Sequence, residues 1–266
     1  MRIGVFDSGF GGLTVVKDIL RAFPYAKIIY VGDNARIPYG TKSKKTIIEY
    51  SKQISMFLLS KKVDIIVIAC NTASSFALRE VKKISNIPVV GMIEPVVDEA
   101  VNFSGYKKIG IIGTTGTISS CAYEKSIYKL DRKIKVLSQA CPMFVPVVEE
   151  GLINHKVTKL MAQEYLSPKF KNANCIILGC THYPLLYDVI QKIVGKKVKL
   201  LTCGEPAARE IGKKVGSVGD IIKGKGRKAK HEFYTTDDTE KFKKLGSIFL
   251  GQKIDKVKKL DLDKIE

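Results

Sequence analysis

Two cysteines carry the first chemical signal. Cys70 stands in Asp64-Ile-Ile-Val-Ile-Ala-Cys70-Asn71-Thr72, and Cys180 in Cys175-Ile-Ile-Leu-Gly-Cys180-Thr181-His182. Each thiol ends a short apolar run and precedes small hydrogen-bonding residues. A free cysteine is commonly a small buried hydrophobe, and that reading suffices for Cys121, Cys141 and Cys175. It does not explain two thiols in matching settings, one from each half of the chain. Such a pair suits an acid/base group on each face of one small substrate. An unshifted thiol, with a pKa of about 8.5, is barely ionised at neutral pH, so each needs help. A helix start favours thiolate. His182, two residues past Cys180, is a base for that side, and Asp7 serves Cys70 if the first and third strands are neighbours.

Three further segments could hold a polar ligand. Asp7-Ser8-Gly9-Phe10-Gly11-Gly12-Leu13-Thr14 joins a strand to a helix, where glycines let backbone N–H groups approach an anion. It lacks the Gly-Lys-Ser/Thr ending of a P-loop and does not match Gly-x-Gly-x-x-Gly, so a tight structural turn explains the glycines equally well. Gly32-Asp33-Asn34-Ala35-Arg36-Ile37-Pro38-Tyr39-Gly40 reads as a rigid loop offering the backbone donors of Tyr39 and Gly40. Gly113-Thr114-Thr115-Gly116-Thr117 could hold a carboxylate through Thr114 or Thr117, or simply cap a helix. Six cysteines and three histidines occur with no Cys-x-x-Cys or Cys/His ligand spacing, so no metal site is expected.

The elements that must position these residues are legible from patterning. Short apolar runs alternate with longer amphipathic segments, which predicts a parallel α/β fold. Strands are expected at 3–6, 27–31, 63–69 and 89–93, then at 108–112, 134–138, 173–179 and 197–201. Leu13, Val16 and Leu20 mark a helix ending near Pro24; Ala77, Leu78, Val81 and Ile84 mark another after Cys70. Glu94-Pro95 and the stretch 102–107 read as a handover between halves, with the return near Gly204-Glu205-Pro206. His231 to Thr236 reads as a further strand. The helix after it is expected to be capped by Thr236 or Asp237, with Phe242, Leu245, Ile248 and Phe249 on one face. The layout is two similar parallel-sheet α/β domains facing each other across a cleft: 1–96 plus 207–266, and 97–206 inserted between. Ligands of such sheets bind outside the carboxyl ends of the strands, where Asp7, Cys70 and Cys180 all fall.

The chain has 266 residues, 45% of them hydrophobic, and no apolar run near the ~18 residues of a membrane span. The start shows no signal-peptide pattern, and free thiols suit a reducing compartment, so a cytoplasmic location is expected. The net charge of +19 raises nucleic acid as a partner. The lysines, however, are spread along helices such as 42–62 and 156–171, and the basic stretch 224–230 reads as a solvated loop. Nucleic-acid binding is therefore not expected, while the positive field favours encounter with a small acidic substrate.

The segments quoted above, with Val145-Pro146-x-Val148-Glu149-Glu150-Gly151, Tyr183-Pro184-Leu185 and Phe233-Tyr-Thr-Thr236, resemble in order the bacterial glutamate racemases. These sit among the cofactor-independent amino-acid racemases with paired cysteines. The resemblance implies that Cys70 and Cys180 are the acid/base pair, Cys70 on the D-glutamate side. It implies that Asp7 assists Cys70, and that His182 and Glu149 assist Cys180. Ser8, Tyr39, Gly40, Asn71, Thr72, Thr114, Thr117, Thr181 and His182, with Asp7, would bind the amino and carboxylate groups of glutamate. No cofactor or metal is implied; a homodimer and a role in supplying D-glutamate for peptidoglycan are. Cys203 departs from the family pattern, standing where serine is usual, and receives no role. The alternatives are an aspartate racemase, which tends to carry Glu where His182 stands, a basic DNA-associated regulatory protein on the same scaffold, and a thiol hydrolase, which leaves the second cysteine motif unexplained.

Overall fold

The computed structural model describes residues 1–102, 107–216 and 229–264. Among these residues two sheets form, with every pairing parallel. The first contains β1 (Arg2–Asp7), β2 (Lys27–Gly32), β3 (Ile65–Ile68), β4 (Val89–Val90), β9 (Glu232–Thr235) and β10 (Val257–Lys259), in the order β10-β9-β2-β1-β3-β4. The second contains β5 (Lys108–Gly113), β6 (Lys135–Ala140), β7 (Cys175–Gly179) and β8 (Lys199–Leu201), in the order β6-β5-β7-β8. Strands of parallel sheets are covered on both faces, so they read as continuous apolar runs. Each residue of β3 and of β7 is buried.

Successive side chains of a strand point to opposite faces. In the first sheet Phe6, Ile29, Val31, Ile66 and Ile68 pack on one side against Ile54 and Leu58 of α2 (Lys44–Ser60) and Ala77 of α3 (Asn71–Ile84). Ile3, Val5, Ile28, Tyr30, Ile65 and Val67 face the other way. They enter a core continuous with Ile111, Ile112, Ile176 and Ile177 of the second sheet. α1 (Leu13–Ala22), α4 (Ile93–Asn102) and α10 (Gly204–Val215) bridge the two: α10 packs on both α1 and α4. The two sheets therefore share one apolar core rather than meeting only at a polar cleft. None of the described helices is long and apolar enough to cross a membrane.

Several expectations are corrected. The fourth strand stops at Val90, because Ile93 starts α4; Glu94-Pro95 lies in its first turn, where proline lacks only an N–H that needs no partner. Gly204-Glu205-Pro206, where the return is expected, opens α10. The helical lysine stretches are shorter than expected: α2 begins at Lys44 on the Ser43 cap, and α8 (Lys156–Leu166) ends before the turn at Ser167. The final long helix, α11 (Thr239–Leu250), is capped by Asp238, which accepts the N–H groups of Glu240 and Lys241. Thr236 cannot serve, because its hydroxyl donates to Asp33 at 2.9 Å and accepts the Ala35 N–H at 2.9 Å. On that helix Phe242 and Phe249 are buried and Leu245 half-buried, but Ile248 is 57% exposed. Cys121 is also exposed, in a left-handed backbone conformation, and is not a core residue. Residues 103–106 of the handover and 224–228 of the basic stretch lie outside the described residues.

Candidate active site

Register decides which side chains meet. In the first sheet Asp7 pairs with Gly32 and Phe6 with Ile68, so the carboxyl ends of β1, β2 and β3 lie level. Asp7-Ser8, Asp33 and Cys70 therefore leave the sheet together. In the second sheet Gly113 pairs with both Gly179 and Ala140, which sets Thr114 and Cys180 side by side. Both sets open on one cavity of about 430 Å³. Ser8, Tyr39, Gly40, Cys70, Asn71 and Thr72 line it from the first half; Thr114, Glu149, Cys180, Thr181 and His182 line it from the second.

Cys70 caps α3, its Sγ accepting the Ala73 N–H at 3.4 Å and donating to Ser8 Oγ at 3.6 Å. Burial pushes its pKa up to about 11, and the Asp7 charge pushes the same way; the N–H of Ala73 and the Ser8 hydroxyl and N–H pull it down only in part. Here burial outweighs the helix start, so Cys70 rests as a thiol. Asp7 is fully buried behind the wall and accepts the Gly9 N–H at 3.0 Å. Burial raises its pKa against the opposing His182 charge and the N–H groups of Gly9, Gly12 and Ser8. β1 and β3 are adjacent, which puts Asp7 on the Cys70 side.

Cys180 has a different neighbourhood. Its Sγ lies 3.9 Å from His182 Nδ1, and His182 Nε2 lies 3.0 Å from Glu149 Oε1, at the end of α7 (Phe144–Glu149). A carboxylate on Nε2 holds the proton there and leaves Nδ1 free to accept one from the thiol. Burial raises the Cys180 pKa well above that of an ordinary thiol, opposed by the His182 N–H and reinforced by charge on Cys70, Asp7 and Cys203. The imidazole is buried and meets Phe249 edge-on at 5.1 Å. Thr181 ties this loop to the first half: its hydroxyl donates to Asp7 Oδ1 at 3.5 Å, and its carbonyl accepts the Thr14 hydroxyl at 3.1 Å.

Three hydroxyls from both halves form a triangle. Thr72 lies 2.8 Å from Thr114 and 3.1 Å from Thr117, and the latter two are 3.0 Å apart. Thr114 also caps α5 (Thr115–Ser119) while it lines the cavity. Thr117 is buried and does not reach the cavity; it supports the other two. Asn71 accepts the Tyr123 hydroxyl on Oδ1 at 2.6 Å, and its buried Nδ2 has no partner among the described residues.

The glycines of the first turn serve close packing. A Cβ on Gly11 would lie 2.2 Å from Thr181 Oγ1 and 2.6 Å from His182 Nδ1. A Cβ on Gly40 would lie 2.8 Å from Thr114 Cβ. Asp33, to which no role is assigned from the sequence, organises the Tyr39 loop. It is buried and accepts Arg36 Nε at 2.8 Å, the Thr236 hydroxyl and the Tyr39 hydroxyl. The Tyr39 hydroxyl is thus engaged away from the cavity. Ile37, Pro38, Val145 and Pro146 add an apolar rim. The signal that could have found Asp33 is its place at a strand end level with Asp7. No cluster of potential metal ligands occurs among the described residues.

A family model described as Asp/Glu/Hydantoin racemase matches residues 3–211. A glutamate racemase of Persephonella marina is 44% identical over 266 residues, covering 100% of this chain and 99% of that protein. A glutamate racemase of Geobacter metallireducens is 41% identical over 262 residues, covering 98% and 97%. Among solved structures, glutamate racemase from Francisella tularensis subsp. tularensis SCHU S4 in complex with D-glutamate superposes with a TM-score of 0.90 at 38% identity, covering 98% of each chain.

Proposed function

The chain belongs to the Asp/Glu/hydantoin racemase family, on the side of its glutamate racemases, and from that premise we propose that it interconverts L- and D-glutamate by proton transfer between Cys70 and Cys180. The observation that carries the reading is that two buried thiols from two sheets line one cavity. In the D-to-L direction the Cys70 thiolate takes the α-proton: the Cα–H bond breaks, an S–H bond forms, and the electron pair passes toward the carboxylate. The Cys180 thiol then delivers its proton to the opposite face and is left as thiolate. The reverse reaction starts from that state.

The site must supply both ionisation and charge stabilisation. Asp7 acts from behind Cys70, through the cavity wall, as a charge that favours the substrate ammonium on that side, and the ammonium's positive charge lowers the cost of a thiolate. His182, held by Glu149, takes that role for Cys180. The free Nδ2 of Asn71 and the hydroxyls of Thr72 and Thr114 are donors for carboxylate oxygens, screened from water, and the Thr181 hydroxyl joins them by turning its proton from Asp7 to the substrate. The backbone of Tyr39 and Gly40, with Ser8, completes the binding set. No cofactor enters the scheme. The reading extends to a cytoplasmic homodimer that supplies D-glutamate for peptidoglycan, and to a division of the chain into 1–96 plus 207–266 and 97–206.

The test is α-proton exchange in deuterium oxide with each enantiomer of glutamate, without added cofactor, and with aspartate for comparison. Wild-type protein is expected to exchange and invert glutamate. Cys70→Ser and Cys180→Ser are each expected to lose inversion, by about 10³-fold or more, with unchanged melting. Cys180→Ser should still exchange D-glutamate slowly without inverting it, and Cys70→Ser should do so for L-glutamate. Full inversion by either variant would sink the two-thiol scheme.

A further inference from the structure

Asn71 opens α3 on the cavity wall, only 3% exposed. Its amide has nearly symmetric shape and opposite ends, one accepting and one donating. Facing a carboxylate, the donor end attracts and the acceptor end repels. Something must therefore hold the amide in one of two orientations.

Tyr123, in α6 (Ala122–Leu130), belongs to the other half of the molecule, yet its hydroxyl donates to Asn71 Oδ1 at 2.6 Å. Cys203, between β8 and α10, brings a thiol to 3.6 Å from the same oxygen and to 3.6 Å from the Tyr123 hydroxyl. The Tyr123 donor on Oδ1, joined by the Cys203 thiol whose one proton is shared with the Leu178 carbonyl at 3.6 Å, turns Nδ2 the other way, and Nδ2 is buried with no partner among the described residues. Tyr123 reaches across the end of β7 at Gly179, where a Cβ would meet the Ile112 carbonyl at 2.8 Å and crowd the Tyr123 ring. A Cβ there would lie 3.2 Å from Tyr123 Cε2 and 3.5 Å from its hydroxyl. The ring is 1% exposed, so nothing but protein competes for the hydroxyl.

We propose that Tyr123, backed by Cys203, is a positioning residue that locks the Asn71 amide so that Nδ2 donates to a carboxylate oxygen of the substrate. The lock is assembled from both halves, so the donor is correctly aimed only while they remain in contact. This rests on the racemase reading of the site and adds to it two residues that touch no substrate.

The experiment is a double-mutant cycle of Tyr123→Phe and Asn71→Ala, read on kcat/KM, KM and calorimetric binding of D-glutamate, with melting as the control. Tyr123→Phe alone should raise KM and the dissociation constant about tenfold for both enantiomers, as expected for one neutral hydrogen bond acting through another. In the Asn71→Ala background the same change should move them less than about twofold, because residues acting as a unit are non-additive. An equal loss in both backgrounds means that Tyr123 only supports the fold, and overturns the inference. So does a Tyr123→Phe enzyme with wild-type constants. If Tyr123→Phe fails to fold, Cys203→Ala carries the same cycle with the same two outcomes. A wild-type protein that does not racemise glutamate overturns the functional reading, and this inference with it. An active wild type with an additive cycle overturns this inference alone.

Discussion

The two thiols that would perform the same step in opposite directions do not share an environment. Cys70 has a helix start, Ser8 and Asp7; Cys180 has His182 and Glu149. For both, burial wins and raises the pKa, to about 11 at Cys70. A base must be deprotonated to act, and kcat/KM reports the free enzyme. Below the raised pKa the thiolate fraction climbs with pH, so kcat/KM should rise about tenfold per pH unit between about pH 6.5 and 8.5. Initial rates in both directions across that range are the check, and a flat profile would contradict the burial argument. Because the two enantiomers are equal in free energy, kcat/KM must be the same in both directions, and the asymmetry can show only in exchange or in the separate constants. The presence and type of every one of these groups were legible in the sequence. The direction of their pKa shifts was not: a helix start read locally predicts a lowered thiol pKa, whereas desolvation is set by residues far away in the chain.

At the scale of elements, strand ends deliver the chemistry and glycines let the two sets approach. Gly11, at the entry to α1, sits against Thr181 and His182. Gly11→Ala would push that loop away from the cavity while leaving the sheets intact. A misplacement of about 1 Å can cost about 10²-fold in rate, and that is the loss expected in kcat, with far-ultraviolet circular dichroism unchanged. A variant within threefold of wild type would show that the loop has room to yield. The glycine-rich turn was visible in the sequence, but whether its glycines admit an anion or a neighbouring loop was not. The loop they admit lies some 170 residues onward, and local patterning holds no information about it. The same holds for the Asp238 cap. Thr236 fits the cap position by type, but Asp33 and Ala35 already occupy its hydroxyl.

One core runs through both sheets and a second lies between the first sheet and α2 and α3, and five thiols that the sequence scatters end up inside them. Cys70 is pushed up to about 11, and Cys141, Cys175 and Cys203 to about 12, each first by burial. The sign of the linkage follows. The unfolded chain loses these protons near pH 9 while the folded chain keeps them, so the stabilisation is complete below pH 9 and is lost as pH rises through 11 to 12. In that window each thiol should remove about 1.4 kcal/mol of stability per pH unit until its folded value is reached. Urea denaturation at pH 8, 9, 10 and 11 should show the fall, and Cys141→Ala with Cys175→Ala should make it shallower. Stability independent of pH over that range would rule the account out.

The sequence by itself determined which chemical groups exist and which strand end carries each, because strand, turn and helix are neighbours in the chain and write their pattern within ten or so residues. It also determined the order of the sheets' building blocks and the pairing of one cysteine motif in each half. Only the tertiary structure decided what faces what. It brought Tyr123 and Cys203 to Asn71, turned Ile248 outward, left Thr117 and Asp7 behind the wall, and made both thiols hard to ionise. Each of those outcomes depends on contacts between residues distant in the chain, and on the water those contacts exclude.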